Sequence, residues 1–222
     1  MCPDYSGTGN FAKKKAGSGF ARNKNRVNMF IPFVNLKSKA DIQEFIDKWK
    51  KFYPAPQENL YKINIQKKIF SAEDVTDLFI WKNGRKLSKV KRNSIKEKII
   101  AKLDIINALK INFDMNTFKS EFKNVSSIWK IFLLHIIKPD LYPIFDQHVC
   151  RAYYYIEEKT LQEIPDNNLF KEKLYFEKYL GFFNRLAAYG FERKELDEAL
   201  WAFGKYLKDK KGKKEIDSSL FL

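Results

Sequence analysis

Apolar residues recur along this chain at intervals of three and four, which predicts helices almost throughout. Ile42, Phe45, Ile46, Trp49, Phe52 and Tyr53 share one face of a first helix, closed by Pro54. Asn59–Phe70 and Ala72–Lys82 read as two more, the second ended by Asn83-Gly84. Ser94 and Glu97 form an S-x-x-E capping pattern ahead of Ile95, Ile99, Leu103, Ile106 and Leu109, which predicts an amphipathic helix. A short helix is expected over 115–123. Ile128–Lys138, with Ser127 as its cap and Pro139 as its stop, is apolar nearly all round and is expected to be central and buried. Another helix opens at Asp146 and carries Val149, Ala152, Tyr153 and Ile156. The last third predicts helices over 168–189, ended by Gly190, and over 193–209, with Leu196, Leu200, Phe203 and Leu207 inward. A short extended piece is expected within 26–36, interrupted by Pro32. There is no sustained period-two alternation and no fixed repeat, so the expected class is all-α.

Charge adds a partner to this picture. The 222 residues are 45% hydrophobic, enough for a core, yet 42 Lys and Arg stand against 27 Asp and Glu, a net charge of +15. Such an excess points to nucleic acid, with an acidic membrane surface as the lesser alternative. The first 25 residues hold four of the nine glycines and the run Lys13-Lys14-Lys15, and read as a basic irregular arm. Between Lys82 and Lys102 nine basic residues face one acid, Glu97, and Lys205–Lys214 holds six against Asp209. The C-terminal run has the character of a solvated face or tail. The earlier run follows Phe79-Ile80-Trp81 into a helix start, where side chains and backbone N–H groups can both meet phosphates. Trp81, Lys82 and Asn83 are a second candidate surface there, a plain helix-ending loop being the alternative.

Several site types fall away. Cys2 and Cys150 alone cannot build a disulfide framework, a four-cysteine zinc site or an iron–sulfur cluster. Walker A, G-x-G-x-x-G and H-E-x-x-H patterns are missing and only two histidines occur, so neither metal nor cofactor is expected. His135, on the buried helix, reads as a hydrogen-bonded core residue. The longest clear apolar run, Ile131–Ile137, is interrupted by His135 and falls short of the roughly 18 residues a membrane span needs. Met1-Cys2-Pro3-Asp4-Tyr5 carries no secretory pattern, so an intracellular, cytoplasmic or nucleoid-associated protein without a membrane partner is expected.

The informative stretch is FKNVSSIWKIFLLHIIKPDLYPIFDQHVCRAYYYI, residues 122–156: an apolar helix, a turn with prolines, and an aspartate opening a second helix. Asp146 is placed to cap that helix by accepting the N–H of His148 or Val149. The cap and the positive helix end both favour the anion, so the carboxyl is expected to be ionised at neutral pH.

Phe145-Asp146-Gln147-His148-Val149-Cys150-Arg151 resembles the V-D-T-H-V-x-R segment of the helix-hairpin-helix DNA glycosylases, the endonuclease III superfamily, with Pro143 nearby as in many members. Counting back without a gap, the family's L-P-G-V-G hairpin falls on Phe122-Lys123-Asn124-Val125-Ser126, where Asn124 and Ser126 replace its glycines. The resemblance covers about 35 residues, and the rest of the chain shares only the helical style. It implies a two-lobed helical fold with a cleft: N-terminal helices 26–71 pack with the C-terminal lobe 146–222, and 72–145 form the central lobe. Asp146 is then catalytic. The position of the Schiff-base lysine of bifunctional members is Ile128 here, and Lys130, about 200° round the helix, faces elsewhere. Lys130 is thus a disfavoured lyase nucleophile, and a monofunctional, water-using enzyme is implied.

The implied chemistry is release of a damaged or modified base, in repair or in defence against modified foreign DNA. An ionised carboxylate stabilises the positive charge that develops on the sugar and orients water. The partner is double-stranded DNA with a flipped nucleotide, bound by a monomer. Trp129, Tyr142, Phe145, Gln147 and Tyr153 are candidates to line the base pocket, with core packing or local helix-end bonding as the alternative. Asn124, Ser126, Ser127, Lys82, Arg85, Lys86, Lys89, Lys91, Arg92 and His148 are candidates to hold DNA. Arg151 reads as a phosphate ligand or, by preference, as the partner of Glu157 or another acid. The competing reading is a non-catalytic DNA- or RNA-binding helical protein.

Overall fold

Short polar side chains set most helix starts. In a computed structural model that describes residues 33–211, with side chains through Lys208, Ser38 and Asp41 form a reciprocal capping box at α1 (Lys39–Trp49). Ser71 and Asp74 do the same at α3 (Ala72–Asn83), which Gly84 ends at φ +68°, a left-handed turn that suits glycine. Between them α2 spans Glu58–Ile65, entered through Ala55 and Gln57, both at positive φ. The basic arm over 1–25, residues 26–32 and the end of the Lys205–Lys214 run lie outside the described residues.

The helix expected from Ser94 starts earlier and is broken. Ser88 caps α4 (Lys89–Lys98), a 3-10 turn follows at Ile100–Lys102, and α5 runs Leu103–Ile111. Ser94 and Glu97 are therefore inside α4. Tightening at the 3-10 turn leaves Ile95, Ile99, Ile106 and Leu109 all buried, so the apolar spacing survives the break. The helix expected over Asn59–Phe70 is likewise shorter, and Phe52 is exposed. α6 (Met115–Glu121) is capped by Asp114. α7 (Ser127–Ile137) follows the turn at 122–126, and α8 spans Gln147–Glu157. The expected 168–189 helix is α9 (Asn168–Leu174), a π-helical stretch Tyr175–Tyr179, and α10 (Leu180–Ala187); α11 spans Arg193–Lys211. The described residues are all-α, and none of their helices is long and apolar enough to cross a membrane.

Two apolar clusters hold these helices. One joins α1, α8, α11 and the 174–186 segment; the other joins α2 through α6 with most of α7. The described part of the 26–71 region, residues 33–71, is divided: Ile42, Phe45, Ile46 and Trp49 enter the first cluster while Tyr61 and Ile65 enter the second. α7 gives Ile131 to the first and Phe132, Leu133, Leu134, Ile136 and Ile137 to the second, which is why it is apolar nearly all round. α8 and α11 meet closely at Gly204, where an added Cβ would lie 1.9 Å from the His148 carbonyl oxygen. No other residue fits that approach without moving the start of α8.

Candidate active site

Asp146 occupies the N-cap of α8. Its Oδ1 accepts the N–H groups of His148 at 2.8 Å and Val149 at 3.2 Å, as its position in the sequence suggests. Its Oδ2 faces Lys82 Nζ at 3.1 Å. The two side chains are only 20% and 9% exposed, so this ion pair is partly desolvated, and it joins the end of α3 in one cluster to the start of α8 in the other. Burial by itself pushes the Asp146 carboxyl up; Lys82, His148 and the backbone N–H outweigh it, and the carboxyl lies below its ordinary range. It is an anion at neutral pH. Lys82 also stands 5.9 Å from the Phe132 ring centre.

Helix α8 is anchored from below. Arg151, 1% exposed, donates to both Glu163 oxygens, at 3.2 Å and 2.6 Å, and to the Gly204 carbonyl at 2.6 Å. Its acid is Glu163, while Glu157 pairs with Arg185. His148 packs on the Trp201 ring at 4.6 Å, and burial lowers its pKa further than neighbouring Asp146 raises it.

The 122–126 turn shows why glycine is dispensable here. Phe122 and Val125 are buried, the Val125 N–H donates to the Phe122 carbonyl at 3.0 Å, and Lys123, Asn124 and Ser126 are exposed. Among the described residues positive φ occurs at Ala55, Gln57, Lys159, Gly84 and Gly190, all outside this turn. Ser126 holds the N-cap position of α7 without a side-chain bond, whereas Ser127 is buried, its Oγ near the Asn168 carbonyl and Glu172. Lys130 is tied to the same Glu172 at 2.7 Å.

Arg85, Lys86, Lys89, Lys91 and Arg92 are exposed. Lys91 Nζ donates to Asn83 Oδ1 at 2.6 Å and lies 6.0 Å from the half-buried Trp129 ring, itself packed on Phe79. Phe145 and Tyr153 are core side chains, Phe145 against Tyr175 and Tyr179, and Tyr153 donating to Glu158. Gln147 is exposed, and Tyr142 is half-buried between the clusters.

Among the described residues a cavity of about 410 Å³ is lined by neither Asp146 nor any of the five pocket candidates. Glu58 and Tyr61 of α2, His135 of α7 and Arg193, Lys194 and Asp197 of α11 form its polar wall. Spacing along single helices does not reveal this set, because its members come from three helices up to 139 residues apart (Glu58 to Asp197). The one local signal was an acid, Asp197, beside the apolar stripe of α11. His135 is a satisfied core histidine: Nδ1 donates to the Tyr142 carbonyl at 2.8 Å, Nε2 accepts from Tyr61 at 2.7 Å, and burial lowers its pKa to about 3. Among the described residues no group of three His, Cys, Asp or Glu is arranged to hold a metal. No family model, curated protein or solved structure matches this chain.

Proposed function

We propose that this protein is a monofunctional DNA N-glycosylase of the helix-hairpin-helix kind, with Asp146 as its catalytic carboxylate. The observation that carries this reading is the preorganised anion: one oxygen held by two helix N–H groups, the other beside Lys82. In this reading the two apolar clusters are the two lobes, and Asp146 lies at their junction. The exposed basic residues 85–92 and the 122–126 turn then flank the duplex and hold phosphates.

As the C–N bond of the extruded nucleotide lengthens, its electron pair leaves with the base and positive charge spreads over the sugar. Asp146 stabilises that charge and accepts a proton from the water that attacks the anomeric carbon. Its lowered pKa keeps it anionic for the first task, and the fixed N–H donors keep it aimed. Asp146→Asn abolishes release of bases from damaged and modified DNA, read by mass spectrometry, and leaves DNA binding nearly intact. Full release by the variant refutes the mechanism.

The second reading is a non-catalytic DNA- or RNA-binding protein, favoured by the completeness with which Lys82 and the helix cap satisfy Asp146. Absence of base release from every DNA tested, with tight salt-sensitive binding retained, selects it.

A further inference from the structure

The cavity beside α2 and α11 is unusual for the polar atoms it leaves without hydrogen-bond partners. Among the described residues these are Glu58 Oε1, Arg193 Nε, Lys194 Nζ and Asp197 Oδ1, all buried and all on residues of its wall. Lys194 Nζ lies 3.2 Å from Glu58 and 3.0 Å from Glu198, close enough to balance charge but misaligned for a hydrogen bond. It also lies about 5 Å from the ring centres of Tyr53, Tyr61 and Trp81. Asp197 is 5% exposed. Glu58 Oε1 and Lys194 Nζ thus offset each other's charge, while Arg193 Nε and Asp197 Oδ1 have neither a hydrogen bond nor an ion pair; a buried polar group left so is destabilising, and this wall gains from a ligand with several polar atoms.

Charge narrows the ligand class. Lys62, Arg193 and Lys194 are offset by Glu58, Asp140 and Glu192, and Asp197 adds a fourth acid. There is no positive excess here for a free phosphate, in contrast to the exposed 85–92 segment. The wall mixes donors and acceptors and includes Tyr61, whose ring lies tilted at 4.3 Å from that of Trp81. That combination suits a flat, uncharged heterocycle. The volume of about 410 Å³ falls in the roughly 300–1,000 Å³ range of small-molecule sites.

The cavity is linked to the candidate catalytic pair. Trp81 immediately precedes Lys82 on α3, and Asp197 feels the charges of both Lys82 and Asp146. We propose that this cavity receives the extruded base, with Asp197 donating a hydrogen bond to an acceptor on the heterocycle and Glu58 accepting one from a donor. The inference rests on the glycosylase reading and adds the recognition site to it. Burial lifts the Asp197 carboxyl to about 7; Asp146 and Glu198 add to the rise while Lys194 and Lys82 oppose it. A large fraction of the carboxyl is therefore protonated, and able to donate, at neutral pH.

The test is saturation-transfer NMR on the full-length protein with free adenine, guanine, cytosine and uracil, and with inorganic phosphate as a competitor. Wild type, Asp197→Asn, Asp197→Leu and Glu58→Leu are compared after their thermal melts establish folding. At least one heterocycle binds, phosphate does not displace it, and affinity falls tenfold or more in Asp197→Leu and Glu58→Leu. Asp197→Asn, which still donates, retains binding. If one of the leucine variants does not fold, the other carries the same comparison. Lack of binding by all four bases, displacement by phosphate, or unchanged affinity in a folded leucine variant overturns the proposal. Heterocycle binding without base release from any DNA overturns only the glycosylase reading. Base release that persists unchanged in the folded leucine variants overturns only the assignment of this cavity.

Discussion

Replacing Asp197 with asparagine should change how stability depends on pH. In the folded protein this carboxyl titrates at about 7 because burial disfavours its anion, against 3.8 ordinarily. Between those values the folded state holds a proton that the unfolded chain has released. Stability is therefore fully retained below about pH 4, falls as pH rises towards 7, and then levels off. The gap of about 3 units, at 1.36 kcal/mol per unit, sets a ceiling of about 4 kcal/mol on the loss. The charges that face the group, Lys194 and Lys82 against Asp146 and Glu198, are already included in that gap. Asparagine keeps the shape and cannot ionise, so the variant matches wild type near pH 4 and exceeds it at pH 8. For a chain of this size the gain at pH 8 is on the order of 10 °C in Tm. Thermal melts of both proteins from pH 4 to 8.5 measure it, and other carboxylates cancel in the difference. Parallel profiles, or a variant less stable than wild type at pH 8, refute a buried, protonatable Asp197.

Three further outcomes follow from the site. Lys82→Met leaves Asp146 partly buried without its cation; it costs about 3–5 kcal/mol in denaturant unfolding and moves the acid limb of base release to higher pH, since the lysine lowers that carboxyl's pKa. Gly204→Ala forces apart α8 and α11 and displaces the His148 carbonyl; it costs at least about 1–3 kcal/mol and weakens base release in the fraction that remains folded. Monofunctional hydrolysis predicts no covalent adduct when borohydride is added to the protein with abasic-site DNA. An adduct lost in Lys82→Met and kept in Lys130→Met would instead assign a lyase nucleophile to Lys82, the lysine beside Asp146.

Legibility followed the range of the interaction. The Asp146 cap reaches only two and three residues along the chain, and it is visible in the sequence because N-cap chemistry is local. The buried character of α7 was equally readable. The start of α4 was not, since Ser88 and Ser94 both carry capping side chains and the choice depends on the whole segment. Phe145 and Tyr153 show the limit for aromatic residues: closeness to a motif in sequence does not separate a pocket wall from a core. Lys82 was visible as a basic residue, but its pairing with an aspartate 64 positions away was not.

By itself the sequence determined an all-α chain, a strong basic excess and an aspartate that caps its own helix, because periodicity, composition and capping act over a few residues. The tertiary structure decided what faces that aspartate. It set Lys82 against Asp146, let Gly204 admit the start of α8, and gathered Glu58, Lys194 and Asp197 around one cavity. These are contacts between distant segments, and their charges take on shifted pKa values only when packing removes water from around them.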